Sequence, residues 1–136
     1  MDILRETGET AGGIIARYDE TLTILREVAH RRRNATLRIY QPEATVAFGR
    51  RDELNPGFAQ AVTACKNMGF TVLVRKVGGH AAAYHPGCLV IDHFQPADDA
   101  KTGSNLRYKL FGELFARALQ DVGVDAAVGE IPGEYC

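Results

Sequence analysis

The segment from Thr71 to Gly87 constrains the fold more than any other part of the chain. A β-branched, mostly apolar run, Thr71–Arg75, is followed by two glycines, Gly78-Gly79, and then by a second strand at Ala82–Tyr84. Strands that follow one another in this way favour a mixed sheet with helices on its faces over a doubly wound parallel sheet.

Apolar residues at helical spacing predict three helices. The first covers about residues 13–31, and its predicted apolar face consists of Ile14, Ile15, Tyr18, Leu22, Leu25 and Val28. The second runs from Phe58 to Asn67 and ends at Gly69. The third begins at Ser104, which we expect to cap it, and ends at Gly123.

Three further strands, and an extension of one already named, complete the pattern. Thr36–Tyr40 and Thr45–Phe48 flank a short turn and are expected to pair as a hairpin. Cys88–Phe94 continues the strand after the glycines, and Val124–Ile131 begins another. The order α-β-β-α-β-β-α-β predicts an α/β chain of the α+β type, with a mixed, largely antiparallel sheet flanked by helices.

Length and composition indicate one soluble globular domain. The chain has 136 residues, of which 46% are hydrophobic and 24% charged. A net charge of -1 argues against a nucleic-acid or anionic-membrane binder, and no apolar run could span a bilayer. Met1–Gly13 lacks the pattern of a signal peptide. The odd, widely spaced cysteines Cys65, Cys88 and Cys136 fit reduced thiols, so a cytoplasmic location is expected.

The glycine segment also has the residue types of a ligand site. Arg75 and Lys76 can meet a carboxylate or phosphate, and the glycines allow a ligand to approach the backbone. Ala81, Ala82 and Ala83 leave a slot that could take an acyl tail. From spacing alone, however, a plain turn between two strands is the commoner meaning of Gly-Gly.

This segment resembles the signature of lipoate-protein ligases, Arg-Arg-x-Ser-Gly-Gly-Gly-Ala-Val-x-His-Asp. In a gapless alignment the identical or similar positions are Arg75, Lys76, Gly79, Ala82 and His85. The departures are Gly78 for serine, His80 and Ala81 for glycines, Ala83 for valine and Pro86 for aspartate. The resemblance extends to nearly the whole chain, including Leu37–Arg50, which looks like the family's strand–turn–strand ending in Gly-Arg.

The resemblance implies a biotin/lipoate ligase-like fold and an ATP-dependent reaction. In that family ATP, with Mg²⁺, and lipoate give an acyl-adenylate. The acyl group then passes to a lysine of a lipoyl carrier domain, in 2-oxoacid dehydrogenase or glycine cleavage proteins. The implied adenylate-end residues are Arg75 and Lys76, and the implied acyl slot is formed by Gly78, Gly79, Ala81, Ala82 and Ala83. His80 is counted among the acyl- or adenylate-binding residues without a separate role.

The role of one histidine stays open, and a metal site built from several histidines is not expected. His85 either orients the ligand or is a hydrogen-bonded structural histidine. A tight metal site is not expected from His80, His85, Cys88 and His93, because an extended strand would hold His85 and His93 about 26 Å apart.

The family's adenylate-holding lysine has no counterpart in this chain. We therefore expect the N-terminal portion of a catalytic domain whose sheet is incomplete at the C-terminus and which has no ligase activity alone. One alternative is an octanoyltransferase that carries the acyl group as a thioester, with Cys136 as a possible nucleophile. Others are a non-catalytic subunit that binds lipoate or the carrier, and a homodimer or second chain that pairs with the unfinished sheet.

Overall fold

The chain divides into two units, Met1–Pro96 and Ala97–Cys136. The computed structural model describes residues 1–8, 11–76, 79–97 and 103–129. The first unit contains β1 (Asp2–Glu6), α1 (Gly13–Ala29), β2 (Thr36–Tyr40), β3 (Thr45–Phe48), α2 (Arg50–Glu53), α3 (Phe58–Asn67), β4 (Thr71–Val74), β5 (Ala82–Tyr84) and β6 (Val90–Phe94). The second contains α4 (Ser104–Asp121).

The strands form two three-stranded sheets, ordered β1-β2-β6 and β4-β3-β5. Each middle strand has a parallel neighbour on one side and an antiparallel neighbour on the other. This confirms the predicted α+β class with mixed strand pairing. It also places β3, whose C-terminal end leads to Gly49, between the two strands that flank the glycine segment.

The predicted hairpin between β2 and β3 is wrong. β2 pairs with β1 and β6, whereas β3 pairs with β4 and β5. A strand has two edges for backbone hydrogen bonds, and both edges of each middle strand are already occupied. The residues between β2 and β3 therefore carry the chain from one sheet to the other.

Helix α1 contacts β4 and β6, and its buried face differs from the predicted one. Its buried residues are Ile14, Arg17, Ile24 and Val28, while Ile15 and Leu25 are about half exposed, at 53% and 48%. Ile24 and Val28 form the core with Phe94 of β6. The buried face is rotated about the helix axis from the predicted apolar face, because it includes an arginine whose charge is paired.

Two elements were missed in the sequence. Strand β1 lies at a sheet edge, and its residues are exposed or half-buried, so it lacks the continuous apolar signal of a central strand. Helix α2 is a single turn of charged residues with none buried, and hydrophobic periodicity cannot detect such a turn.

The second unit contains the predicted third helix with two corrections. Its N-cap is Gly103, with φ of 82°, and makes no side-chain cap hydrogen bond; Ser104 is therefore inside α4 rather than capping it. Gly123, with φ of 85°, follows the helix as expected. Residues 124–129 form no strand, and the rest of the strand expected at Val124–Ile131 lies outside the described residues.

Candidate functional site

The glycine segment joins the ends of two strands across a third. Val74, the last residue of β4, pairs with Phe48 of β3, and the Arg75 N–H continues the ladder by donating to the Phe48 carbonyl at 2.8 Å. On the other side of β3, Ala82 pairs with Ala47. The connection between these strands is called the glycine loop below; its described residues are Arg75, Lys76 and residues 79–81.

Gly49 lies directly beneath this loop. A Cβ atom built on Gly49 would stand 2.1 Å from the carbonyl oxygen of Gly79. Gly49 has φ of -81°, an ordinary value for any residue, so its missing side chain matters for space rather than for backbone conformation. Gly79 has φ of 91°, which L-residues rarely adopt. The crossing therefore brings two stretches of main chain into contact, and each requires glycine for a different reason.

The Arg75 side chain binds the C-terminal part of the loop, called its far side below. Its Nη2 atom donates to the His80 carbonyl at 2.8 Å, and this bond spans the loop. Among the described residues, no partner lies within hydrogen-bond distance of its buried Nε atom. Lys76 has an exposed side chain, and its backbone N–H donates to the Tyr18 hydroxyl oxygen at 2.6 Å. Gly78 was also expected in this site, but it lies outside the described residues.

Asp52 of α2 connects the loop to β3. Its Oδ2 atom accepts the Gly49 N–H at 2.7 Å, and its Oδ1 atom lies 4.0 Å from Nδ1 of the exposed His80 side chain. A cavity of about 200 Å³ adjoins this carboxylate. Its lining residues are Phe48, Asp52, Asn55, Gly57, Phe58 and Ala61. Phe48 and Phe58 meet edge to face, with ring centroids 5.2 Å apart, so the cavity has an aromatic wall and an anionic edge.

Only part of the alanine run belongs to the sheet. Ala82 and Ala83 of β5 pair with Ala47 and Val46, and Ala47 is fully buried. Ala82 is half-buried, whereas Ala81 and Ala83 are exposed. Small residues therefore lie on both strands beside the glycine loop.

His85 is not brought to the loop. Tyr84 pairs with Thr45 at the opposite end of β3, and His85 follows it. Its Nδ1 atom accepts the Gly87 N–H at 2.9 Å, and its carbonyl accepts the Cys88 N–H at 2.8 Å. These contacts give His85 a place in a turn. In the part of the chain that the structure describes, no three His, Cys, Asp or Glu side chains converge on a possible metal position.

A buried arginine cluster joins α1 to the first sheet, and it was not predicted from the amino-acid pattern. Arg17 and Arg38 are 2% and 0% exposed. Arg38 binds both oxygens of Glu6, and its Nη2 atom lies 2.9 Å from Glu20. Arg17 donates to the same Glu6 carboxylate at 3.0 Å. Because Glu6 lies on the missed strand β1, neither arginine could be assigned a partner from the sequence.

Two titratable side chains border this cluster. Burial raises the pKa of the Asp92 carboxyl, and the nearby Arg38 opposes that shift. Asp92 Oδ2 is buried with no hydrogen-bond partner among the described residues. Burial, followed by the Asp92 charge, raises the pKa of Tyr40 to about 12. The arginines also contact the Tyr40 ring, with Arg17 4.6 Å and Arg38 5.0 Å from its centre.

Cys136, the suggested nucleophile, lies outside the described residues. Within the second unit, α4 and Ala127–Val128 border an open cavity of about 530 Å³. No helix in the described ranges is both long and apolar enough to cross a bilayer.

Comparisons with known proteins agree with one another. The family described as the lipoyl protein ligase A/B catalytic domain matches residues 17–134. An octanoyl-GcvH:protein N-octanoyltransferase from Geobacillus kaustophilus (strain HTA426) is 30% identical over 103 residues, covering 76% of this chain and 36% of the relative.

Two solved structures have the same fold. A lipoate-protein ligase A bound with ATP superposes with a TM-score of 0.73 at 21% identity, covering 97% of this chain and 51% of that one. A lipoate protein ligase-type structure from T. acidophilum with bound lipoic acid gives a TM-score of 0.63 at 20% identity, covering 97% and 52%. The chain thus spans between about a third and about half of the length of these relatives.

Proposed function

The chain belongs to the lipoyl protein ligase A/B catalytic-domain family, and from that membership we propose that it binds the acyl group of lipoate or octanoate at the glycine loop. The acyl group is then transferred to a lysine of a carrier domain, in a glycine cleavage or 2-oxoacid dehydrogenase protein. The name of the curated relative, which contains a GcvH acyl donor, supports a carrier partner of this kind. We place the reaction in the cytoplasm.

The observation that carries this proposal is the main-chain crossing of Gly79 over Gly49. At the crossing the exposed Gly79 presents backbone without a side chain, and the half-buried Ala82 lies three residues further along. An unbranched acyl chain can approach such a surface closely and lose its contact with water. The proposed acyl slot is therefore formed by Gly79 and the neighbouring alanines, including Ala81 and Ala83.

ATP-dependent ligation is the first candidate chemistry. A carboxylate oxygen attacks the α-phosphorus of ATP and pyrophosphate leaves; the carrier lysine then attacks the acyl carbonyl and AMP leaves. Arg75 and Lys76 supply positive charge next to the loop for the phosphate and carboxylate oxygens. Mg²⁺ enters with ATP as part of the substrate, and His80 contributes its backbone to the same loop.

Octanoyl transfer without ATP is the second candidate, favoured by the 30% identical octanoyltransferase. In that chemistry a thiolate attacks the acyl carbonyl of a donor and the donor's group leaves; the carrier lysine then attacks the resulting thioester and the thiolate leaves. Cys136 remains our candidate for that thiol. We expect the 136-residue chain to have no ligase activity alone, since no lysine matches the family's adenylate-holding lysine. Lipoylation of an acceptor domain by this chain would contradict that expectation.

A matched pair of glycine substitutions tests the acyl site. Gly79→Ala and Gly69→Ala both place a side chain at positive φ, with values of 91° and 82°, and neither Cβ would meet an atom closer than 4.0 Å. Both variants should therefore lose a similar amount of stability, about 1 kcal/mol. Only Gly79→Ala should weaken binding of octanoate and lipoate in a calorimetric titration. Equal affinities for the two variants, or no binding by the wild type, would sink the proposal.

Arg75→Ala separates direct contact with phosphate from support of the loop. If the guanidinium meets phosphate, the variant should lose more affinity for lipoyl-adenylate than for free lipoate. If Arg75 acts through the His80 carbonyl, the affinity for both ligands should fall equally. Formation of acyl-adenylate from ATP, or of an acyl thioester without ATP, separates the two chemistries.

A homodimer, or a second chain that extends a sheet, is a further part of the proposal. β1, β4, β5 and β6 all lie at sheet edges and offer backbone groups for pairing. A clean monomer in size-exclusion chromatography would count against it.

A further inference from the structure

One hydrogen bond joins α1 to the start of the glycine loop. The Lys76 backbone N–H donates to the Tyr18 hydroxyl oxygen at 2.6 Å, across 58 residues of sequence. Lys76 is the second residue of the loop, immediately after the last residue whose backbone N–H bonds to β3. Tyr18 is half-buried and belongs to helix α1, which contacts both β4 and β6.

The position of the Tyr18 oxygen is set by the helix rather than by the loop. The preceding residue, Arg17, is 2% exposed and is held by Glu6 at 3.0 Å and by the Gly8 carbonyl at 3.2 Å. One turn earlier, Ile14 is 3% exposed. With these neighbours buried, α1 can neither rotate nor slide without breaking an ion pair in the interior.

The two sides of the loop are held differently. On the far side, the His80 carbonyl accepts from Arg75 and the Gly79 carbonyl rests on Gly49. Both contacts come from the β3–β4 sheet or its extension. At the start of the loop, the Lys76 amide is instead bound by the Tyr18 hydroxyl of α1. Tyr18 therefore fixes where the loop leaves β4 by reference to helix α1 rather than to a neighbouring strand.

We propose that Tyr18 is a positioning residue that sets the start of the glycine loop for acyl binding. It does not touch the reacting atoms; it acts through the Lys76 amide. This inference rests on the proposed function for its effect on ligand affinity. Its effect on the loop follows from the geometry alone, and the two effects are measured separately.

The test compares Tyr18→Phe with the matched control Tyr108→Phe, which removes a hydroxyl from a 66% exposed tyrosine of α4. Phenylalanine keeps the ring and removes only the acceptor. Because the Lys76 amide is exposed, water can replace the lost bond, and the melting temperature should stay close to that of the control. A merely structural tyrosine would change that temperature without changing loop or ligand readouts.

Two readouts decide the proposal. Amide hydrogen exchange at Lys76, followed by NMR, should accelerate about fivefold in Tyr18→Phe and not in Tyr108→Phe. The dissociation constants for octanoate and lipoate should rise about fivefold in Tyr18→Phe alone. Unchanged exchange, or unchanged affinity in a wild type that binds, overturns the proposal. If the wild type binds neither acid, the proposed function fails, and exchange at Lys76 alone decides whether Tyr18 positions the loop.

Discussion

Replacing Gly49 by alanine tests whether the main-chain crossing shapes the site. The new Cβ would lie 2.1 Å from the Gly79 carbonyl oxygen and 3.1 Å from its carbonyl carbon. Both are backbone atoms, so no flexible side chain can turn aside to make room. The substitution should leave the backbone of residue 49 itself unstrained, because its φ of -81° suits any residue.

The required movement follows from these distances. Even the shortest Cβ contacts found in proteins lie near 3.0 Å, so the loop or the end of β3 must shift by at least about 0.9 Å. A shift of this size opens the 2.8 Å bond between Arg75 and the His80 carbonyl. Overpacking of this kind costs about 1–3 kcal/mol of unfolding free energy. A ligand positioned by the loop should lose about tenfold to a hundredfold in affinity or rate.

Gly57→Ala is the matched control, because Gly57 also has φ of -81° and its Cβ would meet its nearest atom, Asn55 Oδ1, at an ordinary 3.4 Å. Urea unfolding and octanoate titration of both variants give the stability and the affinity. Gly49→Ala should fall below Gly57→Ala in both. A Gly49→Ala protein with the stability of the control and wild-type affinity would refute the reasoning about the crossing.

The remaining predictions concern the buried arginine cluster. Glu6→Gln should lower the unfolding free energy by about 3–5 kcal/mol in a urea titration, because it leaves Arg17 and Arg38 buried without their shared carboxylate. The control Glu53→Gln, which breaks a surface pair, should cost less than about 1 kcal/mol, and equal losses would contradict this account. Asp92→Asn should be more stable than the wild type at pH 7, with the difference shrinking towards pH 4. Burial raises the pKa of Asp92 above its ordinary value of 3.8, so the folded protein binds this proton more tightly than the unfolded chain. The wild type therefore loses stability as the pH rises through the folded pKa, whereas the asparagine variant does not. A difference in stability that does not change with pH would contradict this account.

Local signals in the sequence located most elements well. The bounds of β2, β3, α3 and β5 agree with the prediction. Each is bounded by glycine or proline or has a short apolar run, and these signals act within a few residues. What could not be predicted is which strands pair, because that depends on competition for edges across the whole chain. The edge strand β1 pairs with one side of β2, although its own sequence has almost no apolar pattern.

The candidate site shows the same division. Arg75 and Gly79 were identified because their residue types and spacing resemble a family signature. Tyr18 and Asp52 were not identified, because their role depends on hydrogen bonds to Lys76 and Gly49 that exist only in the folded chain. The buried face of α1 was misplaced for a related reason. A buried arginine can be expected only when its carboxylate partner is known, and here the partner is Glu6 on an unrecognised strand.

The contact between Gly49 and Gly79 affects which residues around the proposed site can be substituted. The closest contact at the crossing is between main-chain atoms, and no side chain takes part in it. Lys76, His80 and Ala81 expose their side chains around it. If the proposed function holds, substitutions at these exposed positions should change ligand preference at a lower cost in stability than substitution of Gly49, whose Cβ would meet the Gly79 carbonyl oxygen at 2.1 Å.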